Sequence, residues 1–203
     1  AREALLDGGY FEKKEILKNC GVIIGNLSFP TKTSNHLILP IYQDLLEPLF
    51  KKVLNHPEFS LSYFAREKKF ADGNLSISGF PASFPASLVA EGLGLSPHSF
   101  ELDAECASSF YAVALSCQYL QNEKTDLMLA GAVSAADPFF VNMGFSIFHA
   151  YPEQSEESNP LDKKSSGLYA SQGAGMLLLK RLSDAERDGD NIPAIISGIG
   201  LSN

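Results

Sequence analysis

The chain has 203 residues, 45% of them hydrophobic and 20% charged, enough to bury a sizeable core in one large domain or two small ones. Sixteen Lys and Arg against 24 Asp and Glu give a net charge of −8, which argues against a nucleic-acid backbone or an anionic membrane as the main partner. Ten per cent aromatics, 16 Gly and 11 Pro fall in the ordinary globular range, so disordered, collagen-like and coiled-coil readings drop out.

In chain order, Ala1, Ala4, Leu5 and Leu6 sit at helical spacing before Gly8 and Gly9 stop them, with no capping residue ahead. Asn19 to Gly25, NCGVIIG, is a short apolar run rich in β-branched residues, as expected of a buried strand. His36 to Leu54 carries Leu37, Ile41, Leu45, Leu49 and Val53 at fourfold spacing, which predicts a helix with Pro40 near its start and a kink at Pro48. Residues 58–80 show no clear period and read as a long surface excursion. Ser87 to Leu93 predicts a short helix closed by Gly94, leading into a strand at Phe100 to Ala104, where Phe100, Leu102 and Ala104 alternate with Glu101 and Asp103.

Ala107 to Leu120 is the strongest helix pattern, with Phe110, Val113, Ala114 and Cys117 along one stripe. Leu127 to Val133 reads as a second buried strand, followed by a loop or partly helical segment, PFFVNMGFSIFHAYP, and an acidic loop, EQSEESN. Gly173 to Leu179 predicts another buried strand, SDAERDGDN a polar connector, and Ala194 to Ile199 a last strand. Apolar strands separated by helices imply an α/β layered fold, a sheet covered by helices on both faces.

Three cysteines, at positions 20, 106 and 117, match neither a disulfide framework nor paired Cys-x-x-Cys zinc spacing and favour a reducing compartment. The N-terminus has charges within its first three residues and no apolar h-region, and no segment approaches about 18 uncharged apolar residues. A cytoplasmic protein without a membrane span is therefore expected. Cys106 falls where a strand gives way to a helix, so its thiol faces unpaired N–H groups and the positive end of the helix dipole, which favour a thiolate and can hold an oxyanion. Ala107, Ser108 and Ser109 leave room for a substrate, and attack on a thioester or other activated acyl group suits such a thiol. The alternative is that Cys106 fills space, as free cysteines often do. Cys20 and Cys117 read as core residues. Were both on one helix, Cys106 and Cys117 would lie roughly 16 Å apart, beyond the limit of about 7 Å for a disulfide.

Asp103-Ala104-Glu105-Cys106-Ala107-Ser108-Ser109 resembles the nucleophile motif of the β-ketoacyl synthases, the condensing enzymes of the thiolase superfamily. DLMLAGAVSAADPFFVNMGFSIFHAYP, then NPLD, then GLYASQGAGMLLLKRLSDAERDGD follow in the family's order. The wording is most similar to ketosynthase domains of polyunsaturated-fatty-acid and iterative polyketide synthases. The resemblance implies a thiolase-like fold, of which residues 1–203 would be the N-terminal half, cut from a longer polypeptide at both ends. The family's first strand would precede Ala1 and its two histidine motifs would follow Asn203.

The resemblance also implies the chemistry. Cys106 would accept an acyl chain from the phosphopantetheine of an acyl carrier protein, and a decarboxylated malonyl thioester would then attack it. No cofactor would bind directly. Partners would be the carrier protein, malonyl and acyl thioesters, other domains of a multidomain synthase and a second copy in a homodimer. Phe145 and Phe148, with Phe139 and Phe140, would line an acyl pocket or form plain core. Gly173 and Gly175 would allow close backbone approach at the active-site floor or tight strand packing. His149 is the one pocket candidate among the histidines; His36, His56 and His98 read as surface or capping residues.

Two positions depart from the family's pattern. Glu105 replaces a small residue, and a carboxylate turned inward would oppose a thiolate; Ser171-Gln172 replaces Gly-Glu, with loss of a buried ion pair. These leave open a degenerate, non-catalytic ketosynthase that serves dimer architecture, although non-catalytic chain-length factors lack the cysteine kept here. A thiolase or a CoA-dependent starter synthase would share the same half.

Overall fold

The computed structural model describes residues 1–27, 32–61, 84–135, 138–152 and 161–201, with the side chains of 32–42 and 138–140 outside that set. The chain divides into two compact units: Ala1–Ser28, Pro81–Ser134 and Gln172–Asn203 make one, Phe29–Phe80 and Ala135–Ser171 the other.

The first unit is a sheet with helices on both faces. In chain order it holds α1 (Arg2–Asp7), α2 (Lys14–Leu17), β1 (Cys20–Asn26), α4 (Phe84–Leu93), β2 (Ser99–Leu102), α5 (Ser108–Gln121), β3 (Leu127–Ser134), β4 (Gly173–Lys180) and α7 (Leu182–Asp188). The strand order is β2-β1-β3-β4, with β1 parallel to β2 and β3, and β4 antiparallel to β3. Alternation along β1 explains the two cores. Cys20, Val22 and Ile24 join Leu127 and Leu129 under α1 and α4, while Ile23 and Met128 meet Ala112 and Leu120 of α5 on the opposite face. Burying strands on both faces is why these runs are continuously apolar.

Charged side chains fasten the open edge. The Arg181 guanidinium donates to the carbonyls of Leu120 at 3.0 Å and Thr125 at 2.8 Å, and pairs with Asp126 and, at 2.5 Å, with Asp184. It thereby satisfies carbonyls at the end of α5 and ties α7 to the start of β3.

The second unit contains α3 (Lys32–Val53) and α6 (Pro138–Ile147). The loop after α6 is pinned by the Leu168 N–H donating to the Ala150 carbonyl at 2.9 Å. Tyr151 lies edge-on to Phe145, with ring centres 6.1 Å apart, and its hydroxyl donates to Asn142.

Several elements differ from the sequence expectation. The strand predicted at Phe100 to Ala104 ends at Leu102, because Asp103 and Ala104 leave the ladder to enter the next turn. The buried side of α5 is Ser108, Ala112, Ser116 and Leu120 with Ala114, whereas Phe110 is 72% exposed. β4 is an edge strand, exposed at Gly173–Gly175 and Leu177 and half-buried at Met176, Leu178, Leu179 and Lys180, rather than a fully buried one. The polar connector is in part the helix α7, which buries only Ala185. Residues 191–201 form no strand, pair with no strand among the described residues, and leave Ile195, Ile196 and Ile199 exposed. α3 begins before His36 and continues through Pro48. Residues 62–80 of the expected excursion and the acidic loop at 153–159 lie outside the described residues.

Candidate active site

Cys106 sits in a 3-10 turn, Glu105–Ala107, wedged between the end of β2 and the first residue of α5, and it is exposed. Among the described residues none covers Cys106, so they give it no packing role. Ala107, the residue before α5, gives no side-chain cap to the helix, so the first-turn amides next to the sulfur have no side-chain partner from that position. The other two cysteines are free as well. Burial pushes the Cys20 thiol up to about 12 and also raises that of half-buried Cys117, so both stay protonated at neutral pH; Cys20 is a core residue, whereas Cys117, expected in the core, joins neither of the two cores.

The turn has an unusual backbone. Glu105 has φ +51°, the left-handed region that non-glycine residues seldom occupy. It is held there by three hydrogen bonds. The Glu105 N–H donates to Asp103 Oδ1 at 3.0 Å, and Ser108 Oγ accepts from the Ala104 N–H at 2.9 Å while donating to the Glu105 carbonyl at 2.7 Å. The Glu105 side chain is exposed, so its carboxylate is in water rather than turned inward. Ser108 does not leave room for a substrate as the sequence suggested; it is buried and locks the turn.

Gly25 of β1 lies under that lock. A Cβ there would fall 2.7 Å from both the carbonyl carbon and the Cβ of Ser108, closer than packed atoms tolerate. Sequence reasoning missed this glycine, although its position at the end of the β-branched run VIIG was the available signal.

A partly buried carboxylate stands beside this floor. Glu101, on β2, accepts the Ala86 N–H at 2.9 Å near the start of α4 and the Asn26 amide at 3.2 Å. Burial raises its pKa against the lowering effect of those two donors.

Gly173 and Gly175 are exposed, and a Cβ at either meets nothing within 4 Å. Close approach is thus not required at either; it occurs across the ladder at Gly131, whose Cβ would collide with the Gly175 carbonyl. Gln172 is exposed, so that position holds no buried charge. In the second unit, Phe145 is half-buried, Phe148 is 80% exposed, and His149 is exposed at φ +51° in the turn closing α6; the side chains of Phe139 and Phe140 lie outside the described residues. His56 is exposed, His98 packs edge-on against Tyr119 at 5.6 Å, and the His36 side chain is outside the described set.

A cavity of about 880 Å³ lies elsewhere in the first unit, lined by Tyr10, Cys117, Met176, Lys180 and Ile196 among others. Cys106 does not line it, and Lys180, its one Lys, is engaged by Tyr10, Asp188 and Asp190. It lies beside the edge strand β4, away from Cys106. Among the described residues no cluster of His, Cys, Asp and Glu is placed to hold a metal, and no helix is long and apolar enough to cross a membrane.

Residues 1–185 match the family described as beta-ketoacyl synthase, N-terminal domain. The chain is 36% identical over 186 residues to one polyunsaturated fatty acid synthase protein of Thraustochytrium sp., a match covering 91% of this chain and 9% of that protein. With a second polyunsaturated fatty acid synthase protein of the same organism it is 29% identical over 208 residues, covering 100% of this chain and 7% of the relative. The chain therefore spans less than a tenth of either curated relative. Among solved structures, PfaC keto synthase–chain length factor is 51% identical with a TM-score of 0.72, covering 94% of this chain and 20% of that one. A type II polyketide ketosynthase solved with its acyl-carrier protein shares the fold at a TM-score of 0.64, with 17% identity over 92% of this chain and 43% of its own. The turn that exposes Cys106 thus belongs to a thiolase-like ketosynthase N-terminal domain, and the chain is a member of the β-ketoacyl synthase family.

Proposed function

We propose that this chain supplies the nucleophile of a decarboxylative condensing enzyme of the polyunsaturated-fatty-acid or polyketide synthase type. The observation that carries this is the exposed Cys106 on a strained turn directly ahead of a helix whose first amides lack a side-chain cap. The Cys106 thiolate attacks the carbonyl carbon of an acyl thioester, the tetrahedral oxyanion collapses with cleavage of the old C–S bond, and the carrier's phosphopantetheine departs as a thiolate that takes a proton from water. A malonyl thioester then loses CO₂, its carbanion attacks the acyl-cysteine carbonyl, and the Cys106 thiolate leaves a β-ketoacyl thioester two carbons longer. No directly bound cofactor enters either step.

The acyl carrier protein is the proposed donor, after the example of the neighbour solved with its own carrier, and other domains of a multidomain synthase are the proposed covalent companions. Phe145 and Phe148 are the proposed apolar contacts for the acyl chain, and Gly173 and Gly175 a stretch of backbone free of side chains that the chain can pass. The edge of β2, outermost among the described strands and leading to the nucleophile turn, is the proposed seam of a homodimer. The non-catalytic alternative draws no support from Glu105, whose carboxylate is exposed.

The test is incubation of the complete protein with an acyl-phosphopantetheine thioester, followed by peptide mass spectrometry. The adduct is expected on Cys106 and absent in Cys106→Ala. An adduct on another residue, or none, sinks the proposal.

A further inference from the structure

Ser108 is the first residue of α5 and is 6% exposed. Its single hydroxyl bonds to two groups on the far side of Cys106: it accepts from the Ala104 N–H and donates to the Glu105 carbonyl. The loop so closed contains Cys106 and the left-handed Glu105. The seat for this closure is Gly25, whose missing side chain is the space that the Ser108 backbone and Cβ occupy. Gly25 is itself fixed from both sides, paired with Leu102 of β2 and Ala132 of β3. A rigid central strand therefore sets the height of Ser108, and Ser108 sets the conformation of the turn.

We infer that Ser108, seated on Gly25, is a positioning residue that holds the Cys106 sulfur where it can reach a thioester carbonyl. This rests on the proposed role of Cys106 as nucleophile. The Glu105 backbone conformation is unfavourable by itself, and the two hydroxyl bonds supply most of the side-chain hydrogen bonding that over-determines it, beside the one from Asp103. Without the hydroxyl the turn relaxes toward an ordinary conformation and the sulfur shifts. A displacement of about 1 Å lowers rates by as much as about 100-fold when reacting atoms must be aligned. A positioning role of this kind acts on the rate of acyl transfer and leaves half-saturation by the thioester nearly unchanged.

The experiment compares the complete protein with its Ser108→Ala variant. It measures single-turnover acylation of Cys106 by an acyl-phosphopantetheine thioester across a concentration series, with the thermal midpoint in parallel. The expected result is a loss of at least about tenfold in the rate at saturation, with half-saturation within about twofold and a midpoint within a few degrees of the parent. A smaller loss overturns the inference, as does a loss carried by half-saturation. A rate loss accompanied by a collapsed midpoint also overturns it, since Ser108 would then serve stability alone. If the parent itself gains no adduct on Cys106, the nucleophile role falls and this inference with it; an adduct that forms equally fast in Ser108→Ala removes this inference only.

Discussion

The Lys180 ammonium at the end of β4 lies 2.6 Å from the Tyr10 hydroxyl, near the head of the chain, and the same ammonium contacts Asp188 and Asp190 at 2.6 Å. Burial of Lys180 works against its charge, but hydrogen bonds with Asp188, Asp190 and Tyr10 outweigh that and raise its pKa. Lys180→Met leaves Asp190, whose side chain is 16% exposed, with its cation removed. A destabilisation of about 2 kcal/mol is expected, read as a lower urea midpoint than the parent with the same slope; an unchanged midpoint contradicts it.

Glu101 sets a pH dependence of opposite sign to most carboxylates. Burial holds its folded pKa above the ordinary 4.5, so the folded protein binds that proton more tightly than the unfolded chain does. Its contribution is complete below about pH 4.5 and is lost as pH rises through the raised value. Glu101→Gln keeps an acceptor for the Ala86 N–H and carries no charge. The variant is expected to gain stability relative to the parent as pH rises from about 4.5 toward 7, followed by thermal melts across that range. A difference between the two proteins that is flat in pH contradicts the assignment.

The left-handed Glu105 stores conformational energy next to Cys106. Glu105→Gly removes the Cβ conflict at φ +51° but adds backbone freedom to the unfolded chain. The balance expected is a stabilisation of about 0.5 to 1 kcal/mol, measured by denaturant unfolding. A loss of stability means that Glu105 makes contacts worth more than the strain.

Gly25→Ala forces a methyl group to within 2.7 Å of the Ser108 backbone. Neither side can give way easily, because Gly25 is paired on both edges. A cost of about 1 to 3 kcal/mol is expected, together with faster hydrogen exchange in the first turn of α5. Alanine at the parent's stability would show that the turn has room to move.

The elements legible in the sequence are those whose periodicity is set by burial: the runs that form β1 and β3, and the helix after Cys106. α7 is not legible because Leu182 and Ala185 are the only apolar residues in LSDAERD; charged pairs and the Arg181 anchor hold it instead. The face of α5 is misread because its buried positions are small and partly polar, Ala112 and Ser116 against the large but exposed Phe110. Hydrophobicity patterns find large buried side chains, not small ones chosen for close approach. The 194–199 run has strand composition without a partner strand among the described residues, and composition does not supply one. At the site, the exposed thiol follows from local pattern; the Gly25 seat does not, because residues 25 and 108 meet only after the sheet has formed.

Placing the turn on β1 has a kinetic consequence. β1 is flanked by strands on both sides and has a core on each face, so it is expected among the last segments to open in native-state fluctuations. Cys106 is thus solvent-accessible while its footing is nearly immobile. Reagents can collide with the sulfur freely, but breathing of the surrounding surface does little to change the angle at which they find it.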